Sequence, residues 1–233
     1  MYSTAESMKK LAWSLRRALR MSPTQALFRE LKSRGIALTE TDALEVFGGD
    51  GTRHTTDYHR LVRSLEVWEV DLGFSASLHQ NLPGARISIT DSFREIQVTR
   101  NAYGLIVIDN PASLFGPQQQ YCEHFEFFAP SLFRIARPSA VMVVNVVPDL
   151  ARVHRAWRSA PSAEHSRRRC KFYGTDHADL IHIEEMVPAY RRIIDAAGFK
   201  LRWHFSVRRT LRSQIHYLAM NVSCDGNPPA ATG

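Results

Sequence analysis

Ala43-Leu44-Glu45-Val46-Phe47-Gly48-Gly49-Asp50-Gly51-Thr52 is a short apolar run that breaks into a cluster of glycines. The run reads as a buried strand, the glycines as a tight turn, and the residues from Thr55 onward as a helix. Glycine at such a turn admits positive φ and lets a ligand approach the backbone closely. Strand, glycine turn and helix in that order form the general device for holding nucleotides. Here Glu45 precedes the turn and Asp50 lies inside it, so the site is negative. A pyrophosphate is repelled there; a ligand with a ribose and positive charge fits better.

Outward from this stretch, strands and helices alternate. Strands are expected at Ala43–Phe47, Leu65–Val70, Arg86–Thr90, Gly104–Asp109 and Ala140–Val147, and helices at Thr55–Ser64, Ser75–Asn81 and Tyr121–Ala136. Such alternation argues for an α/β fold, a Rossmann-like open twisted sheet with helices on both faces. Leu105-Ile106-Val107-Ile108 and Val141-Met142-Val143-Val144 are continuous apolar runs, as central strands buried on both sides require. Beyond Pro148, Asp149–Ser159 reads as helix and the basic Ser162–Lys171 as a mobile loop. Glu184–Ala197 reads as a helix stopped by Gly198, and Lys200–Val207 with Gln214–Val222 as a closing hairpin. Before the sheet, Ser7–Arg20 is an amphipathic pattern, and Ser22-Pro23 starts a second helix, Thr24–Arg34. The domain plan is therefore a helical extension over residues 1–40 acting as a lid, one sheet domain over 41–223, and a disordered tail over 224–233.

Composition fits one globular domain. The chain has 233 residues, 44% of them hydrophobic, including 12 Phe, which is enough to form a core. No apolar run reaches the length of a membrane span, and Lys9, Lys10, Arg16, Arg17 and Arg20 interrupt any signal-peptide core. Three cysteines, Cys122, Cys170 and Cys224, lack paired metal-ligand spacing, which points to reduced thiols, the cytoplasm and no metal site. A formal charge of +7 points to an anionic partner or merely to a solvated basic surface.

In open α/β sheets ligands bind beyond the carboxyl ends of the strands. Successive strands here end in Gly48-Gly49-Asp50-Gly51, Glu69, Asp91 and Asp109-Asn110-Pro111, so acids converge on one rim of a basic protein. Glu69 is placed to accept hydrogen bonds from ribose hydroxyls, and Asp91 lies toward an adenine amino group. Any one such acid commonly caps a turn or helix instead. Four together favour an adenosyl cofactor with positive charge, S-adenosylmethionine.

The chain at this point resembles the class I S-adenosylmethionine-dependent methyltransferases, over about Ala43 to Val222. Glu45, Gly49 and Gly51 match that family's first motif, while Phe47 stands where its first glycine is usual. Ala197-Gly198-Phe199 before the last two strands is similar as well. The resemblance implies a seven-stranded sheet with the last strand antiparallel. It also implies that Glu45, Gly48, Gly49, Asp50, Gly51, Glu69, Asp91 and Asp109 hold the cofactor, with Asp109-Asn110-Pro111 near the transferred methyl group. Gly48-Gly49-Asp50-Gly51 and Asp109-x-Pro111 also look like the spermidine synthases, but Ala112 and Ser113 stand where those enzymes carry a second acid, and helices replace their N-terminal β-domain.

Methyl transfer is an in-line displacement, and a base is needed only where the acceptor must lose a proton. Asp109, His54 and His124 are the catalytic candidates. His54, placed at the start of the first helix, is expected to be neutral. Phe47 either narrows the approach to the cofactor or points into the core. Arg167–Lys171 and Arg208-Arg209-x-x-Arg212 are read as loops suited to an anionic small molecule or glycan intermediate. The competing readings are a non-catalytic module with a basic interaction surface, nucleic acid included, and an aminopropyl transferase; a homodimer is open.

Overall fold

The computed structural model describes residues 22–52, 54–110, 114–156, 162–209 and 214–224. Seven strands, β1 (Asp42–Glu45), β2 (Ser64–Glu69), β3 (Arg86–Ile89), β4 (Tyr103–Ile108), β5 (Ala136–Val146), β6 (Lys200–Arg208) and β7 (His216–Ser223), form one sheet. Their order is β3-β2-β1-β4-β5-β7-β6. β1 to β5 run parallel, and β7 is antiparallel to both β5 and β6. The strand order reverses direction between β1 and β4, the place where open α/β sheets form their ligand crevice.

Alternation of side chains splits each central strand between two cores. Leu44, Ile106, Ile108, Met142 and Val144 face one layer, which includes helix α3 (Ser92–Val98), α4 (His124–Ile135) and α7 (Ile183–Ala196). Ala43, Val67, Leu105, Val107, Val141 and Val143 face the other, built from α1 (Pro23–Ser33) and α2 (Ser75–Asn81). Leu27, Phe28 and Leu31 of α1 are buried there, and the Arg34 guanidinium lies 5.1 Å from the Trp203 ring. The second N-terminal helix is thus part of the sheet's packing rather than a lid over its rim. The expected helix Ser7–Arg20 and the tail from Asp225 lie outside the described residues.

Two further expectations are corrected. Thr55–Ser64 is not an α-helix: one tight helical turn, Thr55–Asp57, gives way to turns. Tyr58 there stacks on Phe28 with ring centroids 4.4 Å apart and sends its hydroxyl to Glu45, a tertiary demand that overrides helical periodicity. Ser162–Lys171 is not a loop but most of helix α6 (Ala163–Tyr173), which follows α5 (Leu150–Ala156). Ser162 caps it, Arg167 and Arg168 pair with Glu164 one turn back, and Gly174 ends it at φ 72°.

Candidate functional site at the carboxyl rim

Gly48-Gly49-Asp50-Gly51 leaves the end of β1 as a tight turn, and each glycine is needed for a different reason. A Cβ on Gly48 would stand 2.3 Å from Val67 Cγ1, so β2 presses directly on the backbone there. Gly51 has φ 73° and packs on Leu78 and Leu82 of the α2 region. Gly49 has φ 56°, but a Cβ on it would meet nothing within 4 Å. The turn is therefore packed from below at Gly48 and Gly51 and open above Gly49. Asp50 folds back on the turn, accepting from the Thr52 amide at 3.0 Å.

The acids at the strand ends do different things. Glu69 reaches the turn: its Oε2 accepts from the Gly49 amide at 2.6 Å and its Oε1 from the Asp71 amide at 2.9 Å. Asp91 caps α3 by accepting from the Phe93 amide at 2.9 Å and stands 3.8 Å from Arg94. Glu45 is fully buried; its Oε2 accepts from Tyr58 and its Oε1 lies 3.6 Å from His54 Nε2. Asp109 pairs with His54 Nδ1 and also receives Asn145, Tyr217 and Arg209. Glu45 and Asp109 are thus brought together through His54, and Glu69 joins the turn. Asp91 caps its own helix.

These surroundings reverse the expected state of His54. Burial works against its charge, but Asp109 and Glu45 outweigh burial and push its pKa up to about 10. His54 is an imidazolium; the short turn at Thr55–Asp57 has little dipole to oppose two carboxylates. Burial pushes Glu45 up, whereas for Asp109 the cost of burial is exceeded by His54, Arg209 and Asn145, which hold it below the ordinary carboxylate value. A carboxylate ionised and held by four donors is a poor proton acceptor, so Asp109 is not placed as a general base.

His124 opens α4, and its Nδ1 is 3.1 Å from the Asn110 carbonyl. Burial lowers its pKa to about 4, so the ring is neutral, with Nδ1–H donating and a lone pair left on Nε2. Phe115 stacks on it at 4.6 Å, and Phe47 packs at 5.1 Å from the same ring. Phe47 also lies 6.1 Å from Phe93 and 6.0 Å from Phe128, so the residue in place of the first motif glycine belongs to an aromatic cluster linking β1 to α3 and α4.

Sequence reading passed over Val70, which directly follows Glu69 and leaves 69% of its surface exposed. An apolar side chain that exposed beside a buried carboxylate is a feature a linear pattern cannot show. The basic segment Arg167–Lys171, in contrast, is largely used within the fold. Arg169 is buried against Glu123 and the carbonyls of Val147 and Ala178, and Arg167 and Arg168 hold Glu164. Arg209 pairs with Asp109. Arg212 lies outside the described residues.

Among the buried polar atoms at this end of the sheet, Glu45 Oε1, Asn145 Oδ1 and both ring nitrogens of His54 lack a hydrogen-bond partner among the described residues, with Glu45 Oε1 facing His54 Nε2. Acid-rich surroundings and an open turn at Gly49 fit a cationic nucleoside better than a phosphate. No helix among the described residues is long and apolar enough to cross a membrane.

No family model matches the chain, nor does any curated protein sequence. Solved structures do match. The N-methyltransferase NodS from Bradyrhizobium japonicum WM9 is similar with TM-score 0.53 at 15% identity, covering 87% of this chain and 94% of that one. A TehB-like SAM-dependent methyltransferase from Corynebacterium glutamicum is similar with TM-score 0.51 at 12% identity, covering 94% of this chain and 97% of that one. Identities this low establish the fold alone: a Rossmann-like, mostly parallel open sheet of the kind these two methyltransferases have.

Proposed function

We propose that the protein is an S-adenosylmethionine-dependent methyltransferase whose cofactor lies over the glycine turn at the carboxyl ends of β1 and β2. The observation that carries this reading is the open left-handed turn at Gly49, fastened to Glu69. An ionised carboxylate offers about four lone-pair sites. Glu69 uses one per oxygen for the Gly49 and Asp71 amides, which leaves one on each for a pair of ribose hydroxyls. Val70 offers its exposed apolar side chain to a purine face, and Asp91 lies at the next strand end for an amino group. The shared fold supports the same assignment.

S-adenosylmethionine, when bound, supplies an electrophilic methyl group. The protein's part is to orient the acceptor and exclude water. Asn110 and His124 are the groups proposed to meet the acceptor, with neutral Nε2 of His124 as the site able to receive a proton. Asp109 serves behind them, holding the rim. The acceptor is proposed to be a small anionic molecule or glycan intermediate, on the chain's net charge of +7.

Calorimetric titration with S-adenosylmethionine and its demethylated product tests the reading. Saturable heat is expected with both, and Glu69→Ala should weaken it by about tenfold or more, as lost charge-assisted hydrogen bonds require. The competing reading keeps the fold as a module without a cofactor. Absence of heat with either compound would establish that one instead.

A further inference from the structure

His54 stands between carboxylates carried by two different strands. Its Nδ1 pairs with Asp109 beyond the end of β4, and its Nε2 is 3.6 Å from Glu45 Oε1 at the end of β1. The side chain keeps only 10% of its surface exposed, and the ring meets Tyr217 edge-on at 6.3 Å. Without a cation between them, two buried acids at neighbouring strand ends would repel each other in a medium of low dielectric. Two residues separate His54 from Gly51, and Asn110 directly follows Asp109. Whatever fixes His54 therefore fixes both the exit of the glycine turn and the start of the β4 loop.

We propose that His54 is a positioning residue, a cationic tie that holds the chain leaving the glycine turn against the end of β4 and so sets the separation of Gly49–Gly51 from Asn110. The tie itself stands on the contacts above; its effect on the site rests on the proposed binding of S-adenosylmethionine. The groups that face it are Glu45 of β1, Asp109 after β4, Asn145 of β5, Tyr217 of β7, Arg209 after β6 and Tyr58. Asn145, Tyr217 and Arg209 all donate to Asp109, so Asp109 is anchored from three further strands. Glu45 is held on its other oxygen by Tyr58. Each anchor is thus held on its own side, the Val46 amide joins the two strands through the Val107 carbonyl just below them, and His54 is the described side chain that stands between the two carboxylates. As an imidazolium it turns an N–H toward each carboxylate, an ion-pair contact on either side; a neutral ring keeps only one N–H.

The experiment uses the full chain and three measurements. First, the His54 ring is followed by heteronuclear NMR as pH rises; it should stay protonated far above the ordinary histidine range, toward about 10. Second, calorimetry with S-adenosylmethionine is repeated across pH for wild type, His54→Gln and His54→Lys. The glutamine variant should bind about tenfold more weakly, with its pH dependence flattened, and lysine should recover part of the loss. A purely structural role would lower thermal stability and leave affinity and its pH profile unchanged. Third, amide exchange at Asn110 should quicken in the glutamine variant.

A ring that titrates near the ordinary value overturns the proposal, as does a glutamine variant that binds with wild-type affinity. If wild type gives no heat, the cofactor reading fails, and ring titration with Asn110 exchange still decides whether the tie exists. If His54→Gln does not fold, the wild-type ring titration and the lysine variant carry the decision.

Discussion

The amide of Gly49 donates a 2.6 Å hydrogen bond to Glu69 Oε2 across 20 residues of chain. A carboxylate at the end of β2 thereby holds the turn at the end of β1, and the neighbouring Asp71 amide holds its other oxygen. Glu69 sets the conformation over which a ribose would lie as well as offering to bind it.

Glu69→Gln should therefore cost stability before any ligand is added. One oxygen is replaced by an NH2 that faces an amide donor, so one charge-assisted bond is lost and the other is weakened. The expected loss is about 1.5–3 kcal/mol, read as a lower urea midpoint with unchanged slope. If the midpoint stays put, the turn is held by packing on Leu78 and Leu82 instead.

Alkaline pH should destabilise the protein through the Glu45–His54–Asp109 group. The folded His54 pKa is raised from 6.5 to about 10, so its contribution is complete below 6.5 and is lost as pH climbs toward about 10. Glu45 is also raised in the folded state and pushes in the same direction above 4.5. Asp109 is lowered, so its contribution stands above 3.8 and disappears only in acid. Each proton more tightly held by the folded state gives a slope of about 1.4 kcal/mol per pH unit. Denaturant unfolding at a series of pH values should show that decline in wild type and a flatter one in His54→Gln. Equal slopes would mean the ring is not charged.

His124→Phe separates ring packing from ring chemistry. The stack on Phe115 at 4.6 Å can be kept by a phenyl ring, while the bond to the Asn110 carbonyl cannot. Neutral-pH stability should change by about 1 kcal/mol or less. The wild-type ring, lowered from 6.5 to about 4, costs stability as pH falls through that window, so the variant should also resist acid better than wild type. Any methyl-transfer activity should fall sharply, by more than the loss of stability explains. Full activity in the variant would remove His124 from the list of reacting groups.

Much of this arrangement was legible in the residues. Leu105–Ile108 and Val141–Val144 announced central strands because both faces of each are buried, and Ser75–Asn81 is the helix its pattern implied. Charged segments misled because their partners are distant in sequence. Arg167–Lys171 looked like a solvated loop, yet Arg169 pairs with Glu123, 46 residues earlier. His54 looked like a helix-start histidine, and only the fold brings Asp109 to it. Asp91 signalled a ligand and also a cap; its contact with the Phe93 amide marks the short α3 that the hydrophobic pattern missed.

The glycine turn offers the sharpest contrast between adjacent positions. Gly48→Ala drives a methyl group to 2.3 Å from Val67 Cγ1, where β2 leaves it no room. Gly49→Ala meets no atom within 4 Å and suffers only from φ 56°. Overpacking costs about 1–3 kcal/mol and a left-handed non-glycine residue about 1–2 kcal/mol. Each should respond to a different remedy. Val67→Ala removes the obstructing Cγ1, so it should rescue much of Gly48→Ala in a double-mutant cycle and do nothing for Gly49→Ala. Asn tolerates the left-handed region, so Gly49→Asn should be milder than Gly49→Ala. The urea midpoints of these four single variants and the two doubles with Val67→Ala decide it. Additivity of Gly48→Ala with Val67→Ala would show that β2 does not press on the turn, and the separate roles given to the two glycines would be wrong.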